Sequence, residues 1–349
     1  MLQQIKYSEL NNLSLDKIKE LIDNAYGNSD SLGVLLITDI PHFDNDKLEL
    51  MKLSKRFAEL PEEIKKKYED KESLYAFGWS HGKEKFKNGE YDTKKGSFYA
   101  NPIHDHITDN KELIEKFPFN YRDNIWPDEV LPNYSREFKK LGKRLFNIGL
   151  KVLELSDIYL KDKIEDYQDN YLVNMIKESK TYKARLLHYF ENKDESKKVD
   201  NACGFHLDHG CLTILTNPVY LDNDYHVVRE PEGTGLIIRN KKEELIQVGL
   251  PKNSVLCQIG ETLQILSGGY FRATPHAVSG KGMLNVTRET YPLFIDCNPM
   301  QSIKIPKFAK ENVLETYGIP DNIVPLKDRY KDCEYYYQFA ANTYKSYYD

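Results

Sequence analysis

The stretch GLIIRNKKEELIQVGLPKNSVLCQIG, residues 235–260, decides the fold class. It holds three short apolar segments, at residues 236–238, 245–248 and 255–259, which are separated by the turn-forming residues Asn, Gly and Pro. Three comparable segments lie elsewhere in the chain, at residues 184–189, 211–216 and 284–295. Short strands at such intervals are typical of a sandwich, a barrel or a jelly roll. We therefore predict a β core that begins near Thr181.

Helical patterns flank this core. Residues 45–68 are predicted to be helical with an interruption at Pro61, which can start a new helix. Before them, the segment 32–37 is predicted to be a buried strand. Between residues 133 and 155, apolar side chains recur at steps of three and four: Phe138, Leu141, Leu145, Ile148, Val152 and Leu155. This stripe predicts an amphipathic helix that packs on a sheet, since too few heptads are present for a coiled coil.

Composition narrows the class of protein. The 349 residues include 40% hydrophobic and 30% charged residues, which is ordinary for a folded globular protein. A net charge of −5 does not predict a nucleic-acid partner, because such partners select basic surfaces. We find no signal peptide or membrane span, and expect a cytoplasmic monomer. Five scattered cysteines are predicted to be free thiols: Cys203, Cys211, Cys257, Cys297 and Cys333.

A metal site is indicated by the segment 204–210, with the sequence GFHLDHG. Residues i and i+2 of a strand point to one side, so His206 and Asp208 can reach the same point. His276 could complete a set of two imidazoles and one carboxylate, which leaves coordination positions open and suits iron(II) oxygenases. The three-residue H-x-D pattern also occurs by chance, and Asp208 with His209 is an alternative pair.

An anion site is indicated by Arg288 and Thr290, which share one face of the strand-like LNVTRETYPLF. A guanidinium can bind both oxygens of a carboxylate while the neighbouring hydroxyl donates one more hydrogen bond. An exposed strand arginine in an ion pair is the simpler interpretation of this pair by itself. However, the H-x-D motif, the later histidine and the R-x-T motif occur in this order within one β core. This order favours the interpretation of Arg288 and Thr290 as an anion site.

The sequence as a whole resembles the isopenicillin N synthase-like family of iron(II)/2-oxoglutarate-dependent dioxygenases. The resemblance covers nearly the whole chain. It rests on these segments in order: GVLLITDIPHF, FAELPEEIKKKY, RLLHYF, GFHLDHGCLTIL, VGLPKNSVLCQIGETLQILSGGYFRATPHAV and NVTRETYPLF. It implies an α+β, mainly β fold, in which a distorted double-stranded β-helix, or jelly roll, is flanked by N- and C-terminal helices.

The resemblance also implies site residues and cofactors. His206, Asp208 and His276 would bind Fe(II), and Arg288 and Thr290 would bind the distal carboxylate of 2-oxoglutarate, with O2 as oxidant. Tyr189 matches a tyrosine that donates a hydrogen bond to the cosubstrate, although a purely structural tyrosine is an equally good interpretation. The chain departs from the family at three positions that remove no required group: Thr290 replaces serine, Ala277 follows the metal histidine, and His188 replaces tyrosine.

The segment 77–102 is rich in Gly, Lys and aromatic residues and is predicted to be a long loop near the substrate. Its tentative substrate contacts are Trp79, His81, Lys83, Lys95 and Tyr99. A solvated loop anchored by its aromatic side chains is the alternative. The C-terminal tyrosines Tyr335, Tyr336 and Tyr337 are predicted to pack against the core.

We expect four segments: an N-terminal dioxygenase region (1–130), linking helices (131–177), the dioxygenase core (178–300) and a C-terminal helical segment (301–349). The expected activity is oxidation of a small molecule, by hydroxylation or desaturation, with succinate and CO2 as co-products. Two alternatives are an isopenicillin N synthase-like oxidase that does not use 2-oxoglutarate and an inactive jelly-roll binding protein.

Overall fold

Two facing β-sheets form the centre of the computed structural model, which describes residues 2–83, 91–192, 201–240, 242–280, 283–320 and 323–348. The strands are β1 (Gln3–Lys6), β2 (Val34–Thr38), β3 (Gly78–His81), β4 (Lys95–Ala100), β5 (Lys183–Tyr189), β6 (Asn201–His206), β7 (Leu212–Thr216), β8 (Val219–Leu221), β9 (Val227–Val228), β10 (Thr234–Arg239), β11 (Leu245–Val248), β12 (Val255–Ile259), β13 (His276–Gly280), β14 (Thr287–Thr290) and β15 (Leu293–Ile295). The helices are α1 (Leu15–Ile22), α2 (Phe43–Ala58), α3 (Glu62–Lys65), α4 (Lys111–Lys116), α5 (Pro118–Tyr121), α6 (Tyr134–Lys163), α7 (Tyr171–Ser179), α8 (Glu261–Leu266), α9 (Leu326–Tyr330) and α10 (Tyr336–Tyr348).

The larger sheet has the strand order β1-β2-β12-β7-β15-β5-β14-β8-β9, with β4 and then β3 added beside β5. The smaller sheet has the order β11-β10-β13-β6. Apolar side chains from both sheets meet between them, among them Leu36 and Leu256 of the larger sheet and Leu236 and Ile238 of the smaller one. This is the predicted jelly roll, with its interior between the two sheets.

Helices cover the outer face of the larger sheet. The stripe predicted for α6 is buried, and the helix continues to Lys163, beyond the predicted end. At Gly149 the helix lies so close to the sheet that an added Cβ would come within 2.4 Å of the Ile295 side chain. The helix therefore packs on the sheet as predicted, and not in a coiled coil. A new helix also begins after Pro61, as expected.

Two predictions about strands were wrong. The segment 284–295 is not one strand but two, β14 and β15, which both pair with β5. The interruption falls at Tyr291 and Pro292, where proline has no N–H for the ladder. The segment 77–102 is not simply a long loop, because β3 and β4 pair antiparallel within it. Most residues of β3 and β4 are buried in spite of the many glycines and lysines of the segment. Residues 84–90 lie outside the described part.

Among the described residues, no helix combines the length and the apolar composition required to cross a bilayer. The five cysteines are free, as predicted. The N-terminal strands β1 and β2 join the larger sheet through β12. The boundaries of the four expected segments, like the monomeric state, remain predictions.

Trp79 lies in the hydrophobic core with 2% of its surface exposed, on the face of β3 that packs against Phe57. Replacing it with alanine would leave a large cavity, so we expect Trp79→Ala to lower the free energy of unfolding by about 3–5 kcal/mol. Denaturant unfolding would measure this loss. Trp79→Phe should recover much of the stability, and an unchanged stability of the alanine variant would contradict the core position.

Candidate metal centre

The three residues predicted to bind a metal come together at one end of the smaller sheet. His206 is the last residue of β6 and His276 is the first residue of β13. These strands are neighbours, and the two histidines are directly paired in the antiparallel register. Asp208 follows His206 by two positions. Strand pairing therefore brings together residues that are distant in the chain.

The possible ligand atoms of these three residues lie close together. One ligand atom from each residue can be chosen so that all three lie within 4.8 Å of one another. The Nε2 atoms of His206 and His276 lie 3.8 and 3.9 Å from the same atom, Asp208 Oδ1. Each Nδ1 instead faces a backbone carbonyl, Gly204 O at 2.9 Å for His206 and Thr274 O at 3.2 Å for His276.

This arrangement fits a metal ion. A carbonyl partner holds a proton on each Nδ1, which leaves the Nε2 lone pair available as a ligand. Two atoms bound to one ion at about 2.1 Å can be at most about 4.2 Å apart, so the separations of 3.8 and 3.9 Å from Asp208 Oδ1 are compatible with one ion. Two imidazoles and one carboxylate, without thiolate, suit iron(II).

Electrostatics favour the protonation states that a metal requires at two of these residues. Burial, reinforced by His206, lowers the pKa of His276 to about 4, so its imidazole is neutral at neutral pH. Burial would raise the pKa of Asp208, but the two imidazoles and the Thr213 hydroxyl lower it below its usual value. Asp208 is therefore a carboxylate. Metal binding requires a neutral imidazole at His276 and an ionised carboxylate at Asp208.

The turn that carries Asp208 is held by the start of α8. Glu261 N donates to Asp208 O at 2.8 Å, and Gly260 N donates to Cys211 O at 2.9 Å. At Gly260 the two segments are so close that a Cβ would come within 2.2 Å of Gly210 O. Glycine is required there for this reason, which explains the glycine between β12 and α8.

His209, the alternative partner of Asp208, is directed elsewhere. Its ring stacks on Tyr336 at 6.1 Å and meets Tyr344 edge-on at 5.1 Å, both from the C-terminal helix α10. Tyr336 itself is buried as predicted, with 3% of its surface exposed, whereas Tyr335 and Tyr337 are half-buried. In the described structure, the group suited to a metal contains His206 and not His209.

Arg288 and Thr290 of β14 lie on the face of the larger sheet that points to the interior. Both are buried, and within the described residues Arg288 Nε and Nη1 have no hydrogen-bond partner. The Arg288 guanidinium lies 5.0 Å from the ring of Tyr189, which is directly opposite on β5. A buried guanidinium with unpaired donors is costly unless an anion binds it.

The opposite face of these strands is anchored to α2. His188 Nδ1 lies 2.7 Å from Glu289 Oε1, and Ser54 of α2 donates to Glu289 Oε2 at 2.7 Å. Glu289 is fully buried. Because Glu289 separates Arg288 from Thr290, this contact positions the strand that presents both of them to the interior. His188 thus supports the structure and faces away from the metal centre.

The tentative substrate contacts divide between two faces of the β3–β4 hairpin. Trp79 and His81 share the face directed at the core and the Phe190 ring. The structure thus corrects the assignment of Trp79 as a substrate contact, because the aromatic ring fills the core. Lys83 and Lys95 line a crevice on the other face, and the Tyr99 ring packs under the guanidinium of Arg185 beside it. Their role in substrate binding remains a prediction.

Gln258 of β12 was not predicted as a site residue. Its Nε2 atom lies 2.7 and 3.3 Å from the two ring nitrogens of His276 and 3.5 Å from Asp208 Oδ2. Its Oε1 atom is buried without a hydrogen-bond partner in the described part of the chain. A half-turn of the amide would let Oε1 accept from His276 Nδ1–H, the tautomer that metal binding requires. One signal was available in the sequence: Gln258 is polar within the apolar strand VLCQI.

We expect Gln258→Leu to weaken iron(II) binding by about 10-fold to 100-fold, because the leucine cannot accept a hydrogen bond from His276. Gln258→Glu keeps an acceptor and should bind iron(II) at least as tightly as the leucine variant. Anaerobic titration with iron(II) measures both affinities. Gln247→Leu, at an exposed position of β11, is the matched control. Equal affinities for Gln258→Leu and the unmodified protein would exclude this role.

The chain is 27% identical over 276 residues to the probable iron/ascorbate oxidoreductase of Dictyostelium discoideum, covering 72% of this chain and 68% of that protein. A 2OG-Fe(II) oxygenase family protein from Caulobacter crescentus has a similar structure, with a TM-score of 0.69, 20% identity, and coverage of 99% and 98% of the two chains.

The chain has the fold of 2OG-Fe(II) oxygenases and is similar in sequence to an iron/ascorbate oxidoreductase. Three predictions are confirmed: the resemblance to these oxygenases, the jelly-roll fold and the oxidoreductase class. A full-length Neurospora crassa protein solved in complex with alpha-KG also has this fold, with a TM-score of 0.65, 18% identity, and coverage of 89% and 90%. No family model matches the sequence.

Proposed function

We propose that this protein is a 2OG-Fe(II) oxygenase that binds iron through His206, Asp208 and His276, and that it oxidises a small molecule with O2 and 2-oxoglutarate, releasing succinate and CO2. The supporting observation is that two imidazole Nε2 atoms face one carboxylate oxygen, while a buried guanidinium with two unpaired nitrogens, among the described residues, lies on the facing sheet. The first group suits a metal ion, and the second suits a carboxylate anion.

Bound iron and 2-oxoglutarate would supply the redox chemistry by which O2 oxidises a C–H bond of the substrate. The chain's own residues would bind and orient the reactants. Arg288 would form a two-point contact with the distal carboxylate of 2-oxoglutarate, and Thr290 would donate a further hydrogen bond. Tyr189, with 3% of its surface exposed beside Arg288, would donate its hydroxyl hydrogen to the same molecule.

The interior between the sheets helps by excluding water. The strands on either side of Arg288 contribute an apolar cluster of Leu187, Tyr189 and Tyr220, which Met283 joins. An apolar, enclosed environment strengthens the charge-assisted bonds formed by Arg288 and limits side reactions with solvent. The fold would therefore exclude water from a carboxylate that binds to Arg288.

A small molecule is the proposed substrate class. Solved structures with this fold include a full-length Neurospora crassa protein in complex with alpha-KG and thymine, and JOX2 in complex with 2OG, Fe and JA. Thymine is a small molecule, and the interior of a jelly roll has room for ligands of that size. Hydroxylation and desaturation both follow from oxidation of a C–H bond, so the reaction is proposed at that level.

The test is anaerobic binding followed by exposure to O2. We expect the protein to bind iron(II) and then 2-oxoglutarate in calorimetry, and to convert 2-oxoglutarate to succinate when O2 is added. Binding of iron(II) without any binding or conversion of 2-oxoglutarate would support the isopenicillin N synthase-like oxidase instead. Failure to bind iron(II) would support the inactive binding protein.

A further inference from the structure

A polar crevice opens beside Tyr189, on the interior face of the larger sheet. It is lined by side chains of β3, β4, β5 and the connection before β4, among them Ser80, Asp92, Lys95, Ser97 and Arg185. This polarity contrasts with the apolar cluster of Leu36 and Leu256 at the other end of the interior. None of the residues that line the crevice is needed to hold iron or 2-oxoglutarate.

The strand register places the crevice next to the cosubstrate residues. Lys95 is paired with Tyr189, and Tyr189 is paired with Arg288, so these three residues form one row across β4, β5 and β14. Neighbouring strands are about 4.8 Å apart, which places the Lys95 and Arg288 backbones about 10 Å apart on the same face. A ligand in the crevice would therefore lie beside the 2-oxoglutarate position and not on it.

Three cations line the crevice: Lys83 pairs with Glu69 at 3.2 Å, and Lys95 and Arg185 are held by acidic and neutral neighbours within it. Lys95 is largely buried, and its Nζ lies 2.9 Å from Asp92 Oδ2. Arg185 Nε donates to Ser97 Oγ at 2.8 Å, and its guanidinium lies over the Tyr99 ring at 5.2 Å. These contacts fix the orientation of both side chains before any ligand arrives, which lowers the entropy cost of binding.

The donor groups of the crevice match a carboxylate. Arg185 carries a planar guanidinium, whose geometry suits the two oxygens of a carboxylate, and Lys95 adds a second cationic donor on the same face. Asp92 is also part of the lining and contributes a negative charge close to Lys95. This carboxylate offsets one of the three positive charges of the lining, and the selection of a carboxylate rests on the planar geometry of the Arg185 guanidinium.

The field of these cations extends to the cosubstrate position. Burial and the neighbouring Cys203 raise the pKa of the Tyr189 phenol, whereas Arg288, Lys95 and Arg185 act to lower it. Three cations thus act on one buried hydroxyl. Arg288 is assigned to the distal carboxylate of 2-oxoglutarate, and the other two line the crevice where a different ligand can bind.

We propose that the primary substrate is a small monocarboxylic acid whose carboxylate binds at Arg185 and Lys95, while the carbon to be oxidised points toward His206 and Asp208. This inference rests on the proposed oxygenase function and adds the chemical class of its substrate. The Arg185 guanidinium and the Lys95 ammonium bind the carboxylate in the crevice. Ser80 provides a further hydroxyl group in its lining.

The test uses the full chain loaded anaerobically with iron(II) and 2-oxoglutarate. The probes are straight-chain and phenyl-substituted monocarboxylic acids, each compared with its methyl ester, and binding is measured by calorimetry and as stimulation of 2-oxoglutarate turnover. We expect acids to bind and their esters not to bind. Arg185→Met and Lys95→Met should each raise the Kd of the acids by about 10-fold to 100-fold, since each loses a charge-assisted contact.

Controls separate this proposal from the proposed function. Lys94→Met removes an exposed charge beside Lys95 and should leave the Kd of the acids unchanged. Arg185→Lys keeps the charge and should recover part of the affinity, and thermal unfolding checks that each variant folds. The affinity for iron(II) should not change in any variant, and the affinity for 2-oxoglutarate should change much less than the Kd of the acids.

Three results would overturn the proposal while leaving the oxygenase function intact. The first is that no acid binds to the loaded protein, and the second is that acids and esters bind equally. The third is that Arg185→Met and Lys95→Met bind the acids as tightly as the unmodified protein does. Loss of iron(II) or 2-oxoglutarate binding in the unmodified protein would instead contradict the proposed function.

Discussion

Asp208→Ala is expected to weaken iron(II) binding by more than about 100-fold and to abolish conversion of 2-oxoglutarate. Asp208 Oδ1 is the atom that both histidine Nε2 atoms face, at 3.8 and 3.9 Å, so its removal leaves two neutral ligands without a counter-charge. Loss of a residue that only supports a metal ligand costs about 10-fold to 100-fold in affinity, and loss of the ligand itself costs more. Anaerobic titration with iron(II) measures the affinity.

The fold should tolerate this substitution. The backbone contact of the turn, from Glu261 N to Asp208 O, does not involve the carboxylate. Asp224→Ala is the matched control, because Asp224 is an exposed acid whose removal should change neither iron binding nor turnover. If Asp208→Ala retained full oxygen-dependent turnover, the assignment of the three ligands would be wrong.

Arg288→Met is expected to raise the KM for 2-oxoglutarate by at least about 10-fold to 100-fold while iron(II) affinity changes little. Two guanidinium nitrogens of Arg288 are buried without partners in the described structure, and a bound carboxylate would satisfy them. Each hydrogen bond between charged groups contributes about 1.5–3 kcal/mol, so methionine removes most of the binding energy of that carboxylate. Steady-state kinetics and anaerobic calorimetry measure the two effects.

The same variant tests the burial of a guanidinium with two unpaired nitrogens among the described residues. Without 2-oxoglutarate, Arg288→Met should melt at a higher temperature than the unmodified protein, because an apolar side chain removes the cost of burying the guanidinium. Addition of 2-oxoglutarate should raise the Tm of the unmodified protein only. Arg136→Met, at an exposed position of α6, is the control. Equal stabilisation of both proteins by 2-oxoglutarate would show that Arg288 does not bind it.

Local patterns in the sequence were sufficient for much of the fold. The strands after residue 181, the buried stripe of α6 and the new helix after Pro61 all follow from hydrophobic period and from proline chemistry, which act over a few residues. The alternation of side chains between the two faces of a strand predicted that His206 lies beside Asp208 and Arg288 beside Thr290. The same alternation also puts Arg185 and Tyr189, four positions apart on β5, on one face.

The site required information that no local pattern carries. The spacing of apolar residues predicts which face of a strand is buried, but it does not predict which other strand pairs with that strand. Pairing of β6 with β13 set His276 opposite His206, and addition of β4 beside β5 set Lys95 in line with Tyr189 and Arg288.

Thus the sequence by itself determined the strand segments, the faces of the candidate ligands and the resemblance to a family of iron enzymes. Only the tertiary structure decided that Trp79 fills the core, that His209 turns to the C-terminal helix, and that Gln258 contacts His276. The physical reason is that each of these contacts joins residues far apart in the chain, so its energy depends on the packing of the whole β core.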